Sequence, residues 1–199
     1  GIALSPLAHR VSSTATVLSI IAGINSASLA NLLGLPNDDA VVRSMPNTPA
    51  LVGEGMTGLF SNSDQRAHGR LLAERVMSAV GQCVWVSNES DLDLVTAISG
   101  SGPAYFFLFM ESLADAAVEL GMSPQTAHQL SIQTALGAAK LAQTSDDALA
   151  KLRENVTSPG GTTEQAIKSF EASELRAIVM SATRAAKKRS IELSEEFGL

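Results

Sequence analysis

The chain has little cysteine and little histidine, the side chains that build disulfides, many metal sites and many catalytic triads. Its 199 residues include one cysteine and three histidines. Cys83 has no partner for an internal disulfide, which is typical of a reducing compartment and predicts a cytoplasmic location. His9, His68 and His128 are far apart and have no Cys, Asp or Glu at ligand spacing. We therefore expect neither a bound metal nor a Ser-His-Asp triad.

Basic side chains are in the minority, with 14 Lys and Arg against 20 Asp and Glu and a net charge of −6. Because nucleic-acid phosphates need a basic surface, this balance argues against nucleic acid as a partner. The basic run Lys187–Arg189 falls late in a helical segment, where cations favour the negative helix end. Gly, Ser or charge interrupts each apolar run before the length of a membrane span, and the first residues lack the layout of a secretion signal. We expect no membrane partner.

The first part of the chain alternates short apolar runs with helical segments. Val17–Ile21 and Val41–Met45 have the composition of strands, and Ser28–Leu33 between them has that of a helix ended by Gly34. This β-α-β order predicts a parallel sheet. We expect a further helix and two last strands of the same sheet in these segments: Gln65–Val80, Met56–Phe60 and Val84–Val86.

The later part of the chain lacks the alternation typical of strands, and signals for helix ends become frequent. Pro103 stands at a first helical position, Gly121 ends that helix, and Ser123 with Pro124 starts the next. These signals predict an all-α part.

We predict two domains, residues 1–87 and 88–199, and the second carries more apolar surface than a small helical domain can bury alone. A second copy of the chain would cover the excess, which predicts a homodimer or a higher oligomer of dimers. The apolar and small residues of these helix faces are Phe106, Phe109, Leu113, Ala117, Leu120, Ala127, Ala135, Ala138, Ala139, Ala142, Leu175, Ile178, Val179, Ala182, Ala186 and Leu193.

The segment Asn155–Thr163 has the composition of an anion pocket at the start of a helix. Pro159 fixes φ, Gly160 and Gly161 allow backbone N–H groups to turn inward, and Thr162 or Thr163 can cap a helix that begins at Glu164. Exposed N–H groups and the positive helix end favour a small carboxylate or phosphate. From the residues alone, an ordinary loop followed by a capped helix is the alternative.

Three segments resemble, in the same order, those of the pyrroline-5-carboxylate reductase family. Val41–Val52 resembles the family's strand and nicotinamide-side loop, and Ser99–Tyr105 resembles its interdomain turn. The similarity runs from about Val17 to the C-terminus. The third segment resembles the family's signature at Leu152, Val156, Thr157, Ser158, Gly160, Gly161, Thr163, Ala166, Ile167, Phe170 and Glu171.

This resemblance implies an α/β remnant of a Rossmann-like dinucleotide-binding domain followed by an all-α dimerisation domain. It also implies reduction of L-1-pyrroline-5-carboxylate to L-proline, the last step of proline biosynthesis, with NADPH as hydride donor and NADH as the alternative. Met45, Pro46, Asn47 and Thr48 would bind the cofactor, with Asn47 and Thr48 facing the nicotinamide.

The resemblance places the substrate on the glycine-rich loop. Its carboxylate would bind the N–H groups around Gly160, Gly161 and Thr162 and the Ser158 hydroxyl, while Thr163 would lie near the ring nitrogen as the catalytic residue. No side chain stands out as a dedicated acid, so we expect the substrate to arrive as its own iminium. Asp146 matches an acidic position of the family, and a cap on a helix from Asp147 explains that residue equally well.

The glycine pattern Gly53–Gly58 formally satisfies the dinucleotide-binding fingerprint, but it runs from a Pro-rich loop into a strand instead of into a helix. We interpret it as a flexible entry into that strand, and expect the family's glycine-rich turn, with the residue that reads the 2′-phosphate, to precede Gly1. Two alternatives remain open. One is a related hydroxy-acid dehydrogenase, which would need a catalytic Lys, and the first lysine in the chain is Lys140. The other is a non-catalytic helical dimerisation module.

Overall fold

A computed structural model describes residues 7–8, 10–12, 14–63 and 67–197. The chain forms two compact units, one of residues 1–103 together with 182–199 and one of residues 104–181. These units are defined by how compactly their residues pack, and they do not test the predicted domain boundary between residues 87 and 88. The first unit contains the sheet, and the second contains helices.

The sheet has four strands in the order of the chain: β1 (Val17–Ser19), β2 (Val41–Met45), β3 (Gly55–Phe60) and β4 (Gly81–Trp85). β1 and β2 are parallel, as are β3 and β4, whereas β2 and β3 are antiparallel. The expectation of a wholly parallel sheet is therefore wrong for the central pair. The connection between β2 and β3 holds only a 3₁₀ turn, Thr48–Val52, and a parallel crossover needs a longer one.

Two helices cover opposite faces of this sheet. α1 (Ser26–Leu33) and α2 (Ala67–Ser78) pack on neighbouring β2 residues, α1 on Val41 and α2 on Val42. Adjacent strand residues point to opposite faces, so the sheet is sandwiched between the helices. The predicted start of the second helix at Gln65 lies outside the described residues, and Gly34 ends α1 as expected.

Cys83 is a half-buried residue of β4 and packs beside the core of α2. Its sulfur accepts a hydrogen bond from the Ser78 hydroxyl at 3.5 Å and lies 3.9 Å from the Glu74 carbonyl oxygen. The Glu74 carboxylate also accepts a bond from the Trp85 indole at 3.1 Å. These contacts fasten the end of α2 to β4.

Two glycines begin β3 and β4 side by side. Gly55 pairs with Gly81, whose φ is 152°, and a Cβ built on Gly81 would lie 2.0 Å from the Gly55 carbonyl oxygen. No side chain fits at Gly81 without moving the backbone of β3. The close approach of the two strands therefore depends on glycine.

Beyond Trp85, the part of the chain that the structure describes contains helices and turns without strands, as the sequence predicts. Ser123 caps its helix as expected, accepting a bond from the Thr126 N–H at 3.2 Å. The predicted cap at Asp146 is wrong, because the next helix begins at Leu149 with Ala148 at the N-cap. The helices are α3 (Asp91–Val95), α4 (Gly102–Glu119), α5 (Pro124–Thr144), α6 (Leu149–Asn155), α7 (Thr162–Ala172) and α8 (Leu175–Phe197), with a π-helical turn at Thr96–Gly100.

The helical segment Asp91–Glu119 is long and apolar enough, by length and composition alone, to cross a membrane. The expectation that Gly, Ser or charge interrupts every apolar run is wrong here. The π-helical turn connects α3 to α4, so Ser99–Gly102 lies within one long helical segment. Only 17% of the apolar 18-residue stretch within this segment is buried in the single chain. Phe106 and Phe107 on α4 are 68% and 62% exposed. A single copy of the chain thus leaves an extensive apolar surface on α4.

Candidate functional site

The glycine-rich loop before α7 is held in place by its own hydrogen bonds. Gly160 has a φ of 73°, a conformation that glycine adopts without steric cost. The Gly161 N–H donates to the Ser158 carbonyl at 3.0 Å, and the Thr157 hydroxyl donates to the Arg153 carbonyl at 2.6 Å. The loop therefore forms a defined turn that leads directly into α7.

The Gly160 N–H donates to the Glu164 carboxylate at 2.8 Å. Lys168 lies one turn further along α7, with its ammonium nitrogen 3.2 Å from the other Glu164 oxygen. The hydrogen bond from Gly160 and the ion pair with Lys168 lower the pKa of Glu164. An internal carboxylate of this chain thus occupies one donor of the expected anion pocket.

The N-cap of α7 is Gly161, without a side-chain cap, and the prediction that Thr162 or Thr163 caps the helix is wrong. Both threonines instead lie in the first helical turn. No acceptor within the described residues bonds the backbone N–H groups of Thr162, Thr163 and Glu164. These three donors point along the positive end of the helix and can bind an anion.

The side chains predicted to contact the substrate are close to these donors in the chain. Ser158, Thr162 and Thr163 are exposed in the single chain. Of the predicted amide donors, the Gly160 and Gly161 N–H groups already have acceptors in the chain, and the Thr162 N–H is free. Substrate binding by Ser158, Gly160, Gly161, Thr162 and Thr163, and the catalytic role of Thr163, stay predictions.

Of the predicted cofactor residues, Met45 ends β2, and Pro46, Asn47 and Thr48 follow it in the unit that contains the sheet. β1 runs parallel to β2 and ends at the same edge, where α/β proteins bind nucleotides. The Ser44 hydroxyl donates to the Ser19 carbonyl at 2.9 Å and ties the two strands together there. Ile20–Asn25 leaves β1 at this edge too, and no motif in the sequence marks this position.

In the segment Met45–Thr48, the Asn47 side chain is held by two hydrogen bonds, whereas two backbone N–H groups have no partner in the described part of the chain. Asn47 uses both ends of its carboxamide within the chain, accepting from the Met56 N–H at 2.9 Å and donating to the Ser99 carbonyl at 3.0 Å. The backbone N–H groups of Asn47 and Thr48 have no acceptor within the described residues. They are of the kind that can bind a nicotinamide carboxamide, so the loop fits one end of the predicted cofactor.

A second polar network near this edge has no signal in the sequence. One oxygen of Glu89 accepts from the Ser26 N–H at 2.6 Å, from the Ser26 hydroxyl at 2.8 Å and from Arg43 at 3.0 Å. Ser26 is fully buried, and the Arg43 side chain is 13% exposed. Glu89 thereby caps the start of α1 from 63 residues away in the chain.

The glycines of the Gly53–Gly58 pattern take no part in a strand-to-helix turn. Gly53 ends the 3₁₀ turn, while Gly55 and Gly58 lie inside β3. A Cβ on Gly58 would lie 2.7 Å from the methyl carbons of Val95. The prediction that this pattern enters a strand is confirmed. Glycine is required at Gly58 because β3 packs closely against its neighbours, more than because the chain there must be flexible. Among the described residues, no group of three His, Cys, Asp or Glu side chains could hold a metal ion.

The sheet and the helical part that follows it define a Rossmann-like α/β region joined to an all-α domain. The family described as "Pyrroline-5-carboxylate reductase dimerisation" matches residues 89–193. A curated relative, the pyrroline-5-carboxylate reductase of Pseudomonas aeruginosa, is 51% identical over 92% of this chain and 66% of its own length. The chain belongs to the pyrroline-5-carboxylate reductase family.

Two solved structures give the same result. The pyrroline-5-carboxylate reductase of Coxiella burnetii superposes with a TM-score of 0.86 at 43% identity, over 96% of this chain and 68% of that protein. The Plasmodium falciparum enzyme, solved with NADP bound, has a TM-score of 0.79 at 35% identity, over 90% and 71% of the two chains. The chain thus spans about two thirds of the length of the relatives that it matches.

Proposed function

We propose that the full-length gene product reduces L-1-pyrroline-5-carboxylate to L-proline with NADPH as the hydride donor. One observation supports this proposal beyond family membership: the three free amides at the start of α7 lie within the segment that resembles the family signature, close in the chain to Ser158 and Thr163. They supply an anion site and a hydroxyl donor or acceptor at adjacent positions. Such a pair is what a cyclic imine bearing a carboxylate requires.

In this proposal the substrate carboxylate binds the N–H groups of Thr162 and Thr163, with the Ser158 hydroxyl as a further donor. These are charge-assisted hydrogen bonds, about twice as strong as neutral ones. Thr163 then holds the ring nitrogen, which keeps the proton that the iminium brings. The nitrogen becomes the secondary amine of proline once the neighbouring ring carbon has been reduced.

NADPH supplies the hydride, and the loop Met45–Thr48 orients its nicotinamide through the free N–H groups of Asn47 and Thr48. Since the chemistry belongs to the two reactants, the protein mainly aligns them and excludes water. The Pro46 ring restricts the loop between β2 and these amides. In this proposal the substrate binds as its own iminium, which brings the proton itself.

We propose further that two copies pair through the helices from about Pro103 onward. The match to a dimerisation family and the exposed apolar face of α4 support this assembly. Within one copy, α4 and α5 are joined by the Ser131 hydroxyl, which donates to the Met110 carbonyl at 2.6 Å. In this proposal the long apolar segment Asp91–Glu119 forms part of a subunit interface. The cytoplasmic location stays a prediction.

The decisive assay follows NADPH oxidation by the full-length gene product when pyrroline-5-carboxylate is added, with NADH as a parallel donor. We expect oxidation that depends on the cyclic imine and yields proline. Oxidation of a hydroxy acid without activity toward the imine would favour the dehydrogenase alternative. Failure to bind either cofactor would favour the non-catalytic dimerisation module. The 199-residue chain alone should bind NADPH only weakly in calorimetry, because its sequence contains no G-x-G-x-x-G turn that leads from a strand into a helix and could hold the pyrophosphate.

A further inference from the structure

The Asn47 side chain joins three segments of the sheet-containing unit. Its oxygen accepts from the Met56 N–H at 2.9 Å, at the start of β3. Its nitrogen donates to the Ser99 carbonyl at 3.0 Å, in the π-helical turn. Asn47 itself follows β2, so one carboxamide connects the predicted cofactor loop to a strand and to a helix that are distant in sequence.

Close packing surrounds this connection on both sides. A Cβ built on Gly100 would lie 3.2 Å from the terminal methyl carbon of Met45, so β2 and the π-helical turn meet with little space between them. On the other side, Val95 fills the space above Gly58 of β3. The carboxamide of Asn47 therefore lies between elements that are already held at a fixed distance, where both its bonds can form without rearrangement.

The hydroxyls of the π-helical turn form their hydrogen bonds within the helix itself. The Thr96 hydroxyl donates to the Leu92 carbonyl at 2.8 Å, and the Ser99 hydroxyl donates to the Val95 carbonyl at 3.0 Å. Bonds of this kind bend helices, and single π turns occur often at functional sites. The Ser101 N–H closes the wide turn by donating to the Thr96 carbonyl at 2.8 Å. Asn47 adds a hydrogen bond from outside the helix.

We infer that Asn47 is a positioning residue, whose side chain fixes the cofactor loop to Met56 and Ser99 instead of contacting the nicotinamide. With both ends of the carboxamide engaged, the groups left for the cofactor are the Asn47 and Thr48 backbone N–H groups. The structural part of this inference stands on its own contacts, and its catalytic consequence rests on the proposed function. Removing the side chain should loosen the loop and the π-helical turn together.

Two substitutions separate the two hydrogen bonds, and hydrogen exchange of the chain measures each of them. Asn47→Asp keeps an acceptor for Met56 and loses the donor to Ser99, so exchange should accelerate about three- to tenfold at Ser101 while Met56 stays protected. Asn47→Ala should accelerate exchange at both positions. Asn37→Asp makes the same change at an exposed turn residue, whose carboxamide bonds Asp39, and should alter neither position.

In the full-length gene product, Asn47→Asp should lower kcat at least tenfold and change the Kd for NADPH less than threefold. Equal exchange at Met56 and Ser101 in the wild type and both variants would overturn the inference, as would a large loss of NADPH affinity with unchanged exchange. If Asn47→Ala does not fold, slow exchange of the Asn47 side-chain NH₂ in the wild type still tests the bond to Ser99, and rapid exchange there counts against it. Absence of imine reduction by the wild type would refute the proposed function and leave the exchange result as it stands.

Discussion

The Glu164 carboxylate lies 2.8 Å from the Gly160 N–H and accepts its hydrogen bond across the first turn of α7. The Gly160 N–H is therefore already bonded to a carboxylate of the chain itself. The contact also leaves the donors of Thr162, Thr163 and Glu164 oriented along the helix. The signature loop is thus shaped before any substrate binds, and Glu164 is a major part of what shapes it.

The pH dependence of this contact follows from the lowered pKa of Glu164. Because the folded pKa is depressed, the contribution to loop stability is complete above the ordinary value of 4.5 and is lost as the pH falls through the folded pKa. We expect the Gly160 amide resonance to titrate with a midpoint below 4.5, and Glu164→Gln to abolish the titration. Glu171→Gln, a control at the carboxylate paired with Arg176, should preserve it. A midpoint at or above the ordinary value would contradict the assignment.

Ser158 and Thr163 should matter for the imine and not for the cofactor. In the full-length gene product, we expect Ser158→Ala and Thr163→Ala each to lower kcat/KM for pyrroline-5-carboxylate ten- to a hundredfold, which is about 1.5–3 kcal/mol for a hydrogen bond to a charged group. The Kd for NADPH should stay within a factor of two to three. Ser169→Ala, on the same helix and outside the loop, serves as the control. Unchanged kinetics in both variants would refute the substrate assignment.

Glu89 should be a stability residue. Glu89→Ala leaves the buried Ser26 donors and Arg43 without their acceptor, and we expect the free energy of unfolding to fall by about 2–3 kcal/mol. Urea unfolding followed by the fluorescence of Trp85, the single tryptophan, measures this in the unit that contains the sheet. Glu54→Ala removes an exposed carboxylate and should stay within about 0.5 kcal/mol of the wild type. A Glu89→Ala variant as stable as this control would show that the network contributes nothing.

The subunit interface can be tested at α5. Ala138 is exposed in the single chain, on a helix with several small side chains. If a second copy covers it, Ala138→Glu buries a charge and should weaken the dimer at least tenfold in light scattering or sedimentation. Ala67→Glu adds the same charge at the exposed start of α2 and should leave the dimer intact. A stable monomer of the wild-type chain at micromolar concentration would argue against the helical interface.

Local signals predicted the elements whose ends depend on a few neighbouring residues. β2 has the bounds expected from its composition, Gly34 ends α1, and Ser123 caps α5. The direction of β3 relative to β2 was missed because it depends on how the connection between them folds. Propensity alone favours Thr162 or Thr163 as the cap, whereas Gly161 takes the N-cap and the Glu164 carboxylate reaches back to Gly160.

In the candidate site, too, a local contact could be predicted from the sequence, whereas contacts between distant residues could not. A glutamate three residues into a helix is a known signal for a carboxylate that reaches back to the preceding turn, so the bond between Glu164 and Gly160 was open to prediction. The bond between Glu89 and Ser26 spans 63 residues, and that between Asn47 and Ser99 spans 52. Such pairs are decided by tertiary packing and leave no periodic pattern in one sequence.

The position of Cys83 provides a chemical reporter that needs no engineering. The chain has a single thiol, and it lies half-buried between β4 and the end of α2, in contact with Ser78. A thiol reagent should reach it faster when α2 separates from the strand, so a change in the rate of modification reports on these openings. The same labelling reaction, timed with and without NADPH in the full-length gene product, reports whether cofactor binding at one edge of the sheet steadies the helix that packs across its face.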